Sequence, residues 1–233
     1  MPEGQSLALA AERLRPLVGE AVTEGALRGA RIEAVESHGK QLLIRTDDGR
    51  TLRVHLGMHG AVRLRPPGSG SGRHVLRTAA GDAVIHHPSR YAVHRSALLR
   101  VNAGPDLLGD FDAAEYVRRA RLTDRPVGEM VMDQRVLAGI GNIVKSETLW
   151  RTRVDPFARV SELSDERLLE ISAMAAELLR AGVEARGRLP RAIYKRSGRP
   201  CPRCRTPIRM ARQGEALRST YWCPQCQPQP AGN

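Results

Sequence analysis

The sequence predicts an α+β chain of several parts: a β-rich N-terminal portion led by a helix, a helical middle, and a small C-terminal unit organised by cysteines. Three observations carry this reading. Apolar and polar residues alternate through 31–98, then take helical spacing from Asp112 onward. The dipeptide Gly104-Pro105 breaks the chain where the pattern changes. All four cysteines fall in two Cys-x2-Cys pairs near the C-terminal end. The expected parts are 1–104, 105–190 and 191–233. A chain of 233 residues with 41% hydrophobic content is long enough to bury real cores and too apolar for wholesale disorder.

Each element has a local reason. Leu7, Ala10, Ala11, Leu14 and Leu17 keep a helical spacing up to about Gly19, with Ser6 the expected N-cap. Segments 41–46 and 51–56 alternate around Asp47-Asp48-Gly49, which reads as a hairpin turn. Residues 65–72 form a loop by composition, and 74–77 and 83–87 are expected as two more strands. Beyond the break, 112–120, 127–133 and 142–151 are expected as short helices. The clearest helix is 164–185. Ser164 caps it, Leu163 and Leu168 form a hydrophobic staple, and Leu168, Ile171, Ala175, Leu178 and Leu179 share one apolar face. Gly187 and Pro190 end it.

Charge narrows the partners. The chain carries a formal net charge of +12 and a pI near 10.6. Of its 37 basic residues only Lys40, Lys145 and Lys195 are lysines. A G+C-rich genome produces that bias, and so does a surface that meets phosphates, because the planar arginine fork binds oxyanions bidentately. Residues 191–228 hold nine basic residues against the single acid Glu215. No apolar run approaches the ~18 residues a membrane span needs. The N-terminal MPEGQSLALA lacks the basic n-region of a secretory signal, so a cytoplasmic location is expected.

Three motifs carry chemistry. Cys201-Pro-Arg-Cys204 and Cys223-Pro-Gln-Cys226, with 18 residues between them, have the spacing of a tetrahedral four-thiolate zinc site on two turns. One closed structural Zn²⁺ is expected; two disulfides are disfavoured in a reducing compartment. At the other end, removal of Met1 would leave Pro2 with a secondary amine. An α-amine with a pKa of about 7.7–8 is partly unprotonated at neutral pH and can attack an aldehyde-like carbon to form an iminium. Glu3 beside it could move protons. Finally, Ala138-Gly-Ile-Gly-Asn-Ile-Val-Lys-Ser-Glu147 reads as a glycine turn into a helix, with Asn142 as the cap and the helix N-terminus open to phosphate. A plain helix cap would use the same residues.

Taken in order, Met-Pro-Glu-Gly at the start, Gly39-Lys40-Gln-Leu-Leu, His55-Leu-Gly-Met-His-Gly60, Gly139-Ile-Gly-Asn142 with Ser-Glu147, and the two Cys-x2-Cys pairs span nearly the whole chain. That order resembles the formamidopyrimidine-DNA glycosylase / endonuclease VIII family of base-excision repair enzymes. The resemblance implies an N-terminal β-sandwich, a helix-two-turns-helix domain and a C-terminal zinc finger, with damaged DNA in the cleft between them. It implies a nucleoid-associated monomer acting as a bifunctional DNA glycosylase/AP lyase with one structural zinc ion. It also assigns roles. Pro2 would attack C1′ of the damaged nucleotide, and Glu3 would protonate the sugar oxygen and shuttle protons. Lys40 would contact phosphate and assist β-elimination, and Arg218 would assist δ-elimination. Asn142 and Lys145 would meet the DNA backbone. Met58 would fill the hole left by the flipped base.

The chain departs from the family pattern at three places. Gln5 and Ser6 stand where a second acid is usual. In His87-Pro-Ser89-Arg90-Tyr91, Ser89 replaces a void-filling arginine, while Arg90 still suits phosphate and Tyr91 suits an aromatic wedge. Opposite-base reading is therefore expected to differ. The short stretch 187–194 resembles the endonuclease VIII branch, which favours oxidised pyrimidines. His74 is a further candidate DNA contact. Competing readings on the same scaffold are a non-catalytic damaged-DNA binder and a glycosylase for bulky alkyl or crosslink adducts.

Overall fold

A helix laid against two antiparallel sheets makes up the N-terminal half. In the computed structural model, residues 2–95 and 103–228 are described, and the chain forms two compact units, Met1–Val101 and Asn102–Asn233. Residues 96–102, just before the break at Gly104-Pro105, and the tail beyond 228 lie outside the described residues.

In the first unit, α1 (Gly4–Leu14) runs into a one-turn 3-10 helix at Arg15–Leu17. The helix starts earlier than expected: Glu3 occupies the N-cap, and Ser6 sits inside the first turn with its amide donating to the Glu3 carbonyl at 2.9 Å. Gly4 and Gln5 are already buried, so packing, not a hydroxyl cap, fixes the start. One sheet orders β1 (Ile32–His38), β2 (Gln41–Thr46), β3 (Thr51–His55) and β7 (Arg90–His94) as β1-β2-β3-β7. The other orders β4 (Ala61–Arg65), β5 (Val75–Arg77) and β6 (Asp82–His86) as β4-β6-β5. The Asp47-Asp48-Gly49 turn joins β2 to β3 as expected. Leu7, Leu14 and Leu17 meet Leu42, Ile44, Leu52 and Val54 from one sheet and Val62, Leu76, Ala83 and Ile85 from the other, all buried in one core. Each such side chain contributes about 1.5–3 kcal/mol when removed from water.

The second unit contains α2 (Ala113–Arg121), α3 (Val127–Met130), α4 (Asn142–Arg151), α5 (Asp165–Glu184) and a hairpin of β8 (Arg209–Gln213) and β9 (Arg218–Trp222). Asp112 caps α2 by accepting the Glu115 amide at 2.9 Å, and Ser164 caps α5 by accepting that of Arg167. The expected apolar face of α5 is buried throughout. Every residue of α4 from Asn142 to Trp150 is buried, because α5 packs on it from one side and β9 from another. Trp150 joins Ile193, Ile208, Cys201 and Cys223 in a small core of its own, so the cysteine segment is continuous with the helical unit.

Candidate nucleic-acid and lesion site

The candidate side chains gather in two places, one in each unit, with the four cysteines apart from both. In the first unit, Pro2 is half-buried and Glu3 is fully buried at the head of α1. Lys40 follows Gly39 in the tight β1–β2 turn, which is closed by the His38–Gln41 pair and admits a positive φ of 54° at Gly39. Across the adjacent strands Gln41, His55 and Arg90 stand in one row, and Arg53 donates to the Gln41 side chain at 3.1 Å. Burial lowers the His55 pKa, and the charges on Lys40, Arg53 and Arg90 lower it further. Arg53 is lowered too, by burial and by Arg90. Crowded cations of this kind are relieved by an anion, which is what a phosphate backbone supplies.

Met58 projects from the β3–β4 turn and is 54% exposed. The turn is pinned from behind. The Gly57 amide donates to His55 Nδ1 at 3.0 Å, while the Ser89 hydroxyl lies 2.7 Å from the same nitrogen and donates to the His55 carbonyl at 3.1 Å. Gly57 has φ 62°, and a Cβ there would lie 2.9 Å from the Ser89 Cβ, so only glycine fits. Ser89, standing where the family pattern has an arginine, is thus engaged with His55. Tyr91 and His74 stack with ring centroids 4.2 Å apart. Burial pushes the Tyr91 phenol up to about 12, and burial followed by the charge of Arg73 lowers His74. Arg90 is exposed.

In the second unit the predicted residues meet at the junction of α4 and β9. Asn142 is the first residue of α4, not its cap; Gly141 holds that position, and the Asn142 side-chain Nδ2 donates to the Ser219 carbonyl at 2.7 Å. Lys145, expected on a DNA-contacting surface, is instead 1% exposed. Its ammonium donates to Thr220 Oγ1 at 2.8 Å and to the Ser219 carbonyl at 3.3 Å. Thr220 passes its own hydrogen to Gln213 Oε1 at 2.8 Å, and Gln213 donates to the Pro156 carbonyl at 2.8 Å. A Cβ on Gly128 would come within 2.5 Å of that Gln213 oxygen, which leaves no room for another residue. This truss carries Arg218, which is exposed and borders a cavity of about 470 Å³ shared with Lys145, Glu129 and Asp133.

The four cysteines form the third feature. Their sulfurs all lie within 4.8 Å of one another, with Cys204–Cys223 at 3.4 Å and Cys201–Cys226 at 3.9 Å. A tetrahedron with Zn–S bonds of about 2.3 Å has edges of about 3.8 Å, so the donor set suits one Zn²⁺ and is far too open for disulfides. Around it, Arg203 lies over the Trp150 ring, 4.0 Å from its centroid, and donates to the Trp150 and Arg151 carbonyls at the end of α4. Trp222 packs edge-on against Phe157, and Tyr221 against Tyr194.

Sequence reasoning missed Glu147, Gln213 and Thr220, and the link between His55 and Ser89. Glu147 had a visible signal: an acid inside an otherwise closely packed helix needs donors, and here it finds three backbone amides.

Comparison with known proteins agrees with this arrangement. Residues 4–91 match the formamidopyrimidine-DNA glycosylase N-terminal domain, residues 103–191 its H2TH domain, and residues 198–229 the zinc finger found in FPG and IleRS. A probable endonuclease 8 2 of Streptomyces coelicolor is 35% identical, with 99% of this chain and 95% of that protein covered. A formamidopyrimidine-DNA glycosylase of a Nocardioides species is 34% identical, covering 93% of this chain and 83% of that one. The crystal structure of the MutM (Fpg) protein from Thermus thermophilus superposes with a TM-score of 0.82 at 29% identity, over 98% of this chain and all of that one. The fold and sites therefore define a zinc-finger DNA glycosylase with AP lyase activity, acting in base-excision repair. The chain belongs to the formamidopyrimidine-DNA glycosylase family.

Proposed function

We propose that this glycosylase removes oxidised bases, pyrimidines in preference, from damaged DNA with the amine of Pro2 as nucleophile. One observation carries the assignment. The first residues of a chain usually fray, yet Glu3 is fully buried and its carbonyl accepts the Ser6 amide at 2.9 Å, holding Pro2 at the head of α1 beside a carboxylate. In this reading the Pro2 nitrogen bonds to C1′ as the glycosidic bond breaks, and the base leaves with that electron pair and a proton. Glu3 moves protons to and from the opening sugar. Lys40 and Arg90 take phosphates of the damaged strand, and Met58 enters the vacated stack. Arg218 assists the second elimination, while His74 and Tyr91 line the approach.

The pyrimidine preference is supported by the linker after α5, where Leu189, Ile193 and Tyr194 are buried and 192–194 are tied to Glu147. That leaves little chain to fold over an extruded purine. No helix among the described residues is long and apolar enough to cross a membrane; in this reading the basic chain, with its net charge of +12, works on nucleoid DNA as a monomer.

Borohydride trapping on duplexes bearing thymine glycol, 8-oxoguanine or an abasic site tests the reading. A covalent adduct on the abasic and thymine glycol duplexes, lost in Pro2→Gly, is expected. Binding without any adduct would overturn the nucleophile and favour a non-catalytic damage binder, the alternative raised by Gln5 and Ser89.

A further inference from the structure

The β8–β9 hairpin ends in an unusual residue. Gln213 pairs with Arg218, so the loop is Gly214-Glu215-Ala216-Leu217, closed by the Leu217 amide donating to the Gly214 carbonyl at 2.9 Å. The last position of this loop is left-handed, with φ 46° at Leu217. Glycine takes that conformation freely, and asparagine often. A residue with a bulky side chain rarely does. Among the described residues six non-glycines have positive φ, and the other five are His87, Arg153, Arg186, Lys195 and Arg205. Leu217 is the single apolar one.

Its surroundings make the choice costlier. Leu217 is 63% exposed, so most of its apolar surface gains nothing from the fold. The loop is nonetheless held firmly. Arg212 donates to the Leu217 carbonyl at 3.1 Å, and the strands behind it are fixed by Gln213, Thr220 and Lys145 to Pro156 and α4. Next in the chain stands exposed Arg218, which has no ion-pair partner among the described residues. An apolar tip on a rigid base, beside a cation awaiting an anion and next to Arg212, matches the chemistry of a nucleotide: phosphate for the guanidinium, sugar and base face for the leucine.

We infer that Leu217 is a DNA-contacting residue that packs against the sugar–base face of the damaged-strand nucleotide whose phosphate Arg218 holds. This extends the proposed function and rests on it for the identity of the strand. The strained backbone is kept because it aims the side chain outward.

The test separates fold from function, because the two should move in opposite directions. Wild type, Leu217→Gly, Leu217→Asn and Leu217→Met are compared by thermal unfolding and by fluorescence anisotropy. The probes are a duplex holding a tetrahydrofuran abasic analogue and its undamaged counterpart. Relief of the left-handed strain should raise the unfolding temperature of the glycine and asparagine variants by roughly 2–4 °C. The same variants should bind the abasic duplex about five- to tenfold more weakly, with undamaged DNA changing less than about twofold and the methionine variant matching wild type. Unchanged abasic-duplex affinity in the glycine and asparagine variants, or a lowered unfolding temperature, overturns the inference. Borohydride trapping of the wild type is run alongside. If wild type traps and the glycine variant binds normally, the leucine contact alone fails. If wild type does not trap, the Schiff-base reading fails and the affinities still decide Leu217.

Discussion

Glu147 holds the amide of Tyr194: its Oε1 accepts that N–H at 2.8 Å and the Ile193 N–H at 2.9 Å, while Oε2 accepts the Ala192 N–H at 2.8 Å and an Arg151 N–H at 2.5 Å. A wholly buried carboxylate on α4 thus anchors the segment leading into the zinc finger. Glu147→Ala leaves two buried amides and one half-buried amide without an acceptor and should cost about 3–5 kcal/mol. Glu147→Gln keeps one acceptor oxygen and should cost less. Urea unfolding followed by tryptophan fluorescence reads the loss, since both tryptophans lie in this unit. An alanine variant with the wild-type midpoint would refute the anchoring role.

The His55 ring supplies a pH dependence with a defined sign. Its folded pKa lies below the ordinary value of 6.5, because of burial and then Lys40, Arg53 and Arg90. The folded state therefore binds fewer protons than the unfolded one. The contribution of this ring to stability is complete above the unfolded value and is lost as pH falls from about 6.5 through the folded pKa. Protonation of Nδ1 would also set it against the Gly57 N–H and release the Met58 turn. Thermal unfolding between pH 7.5 and 5 should fall more steeply for wild type than for His55→Gln. Parallel profiles would show that the ring is protonated without cost.

Removing zinc should loosen the finger in the second unit and spare the first. Cys201 and Cys223 share a core with Trp150, Ile193 and Ile208, whereas the N-terminal core contains no cysteine. Without metal, four close thiols keep no bond between the two turns, so the finger loosens and Arg203 leaves the Trp150 ring. A chelator should quench or shift tryptophan fluorescence and abolish DNA binding while hydrogen exchange in β2 and β3 stays slow. Simultaneous loss of protection in both units would show that they depend on one another.

Much of this was legible in the sequence, and what was not has physical reasons. The boundaries of α4 and the capped face of α5 could be read because short-range rules set them: helical spacing, Ser164 as cap, Gly187 at the end. The Cys-x2-Cys pairs could be read because ligand spacing is itself local. Strands β1, β4 and β7 were not singled out, because their burial does not alternate cleanly; β7 is half-buried or exposed throughout. Lys145 misled because a cation in a basic chain suggests surface, and only the distant Ser219 and Thr220 reveal its oxygen partners. Ser6 misled for a similar reason, as the start of α1 is fixed by packing against the sheets. Lys195 has a plain conformational setting, a turn with φ 60°.

The Lys145 truss leads to the sharpest kinetic prediction. Its ammonium is the donor that fixes Thr220 and, through Gln213, the strand opposite Arg218. Methionine has a similar length and no charge, so Lys145→Met should fold, the buried cation being no asset to stability by itself. What it removes is the hold on the hairpin that carries Arg218. Small displacements of a positioned group cost up to about a hundredfold in rate, so δ-elimination should fall at least roughly tenfold. Iminium formation, proposed at Pro2, would use other residues, and borohydride trapping should stay within about twofold of wild type. A gel resolving intact, β- and δ-eliminated strands measures both from one reaction, with Arg218→Ala as the reference for a lost guanidinium. If β and δ products decline together, Lys145 supports the fold as a whole. If their ratio shifts toward β, the amine acts through the hairpin, and the residue expected at the DNA surface does its work from underneath it.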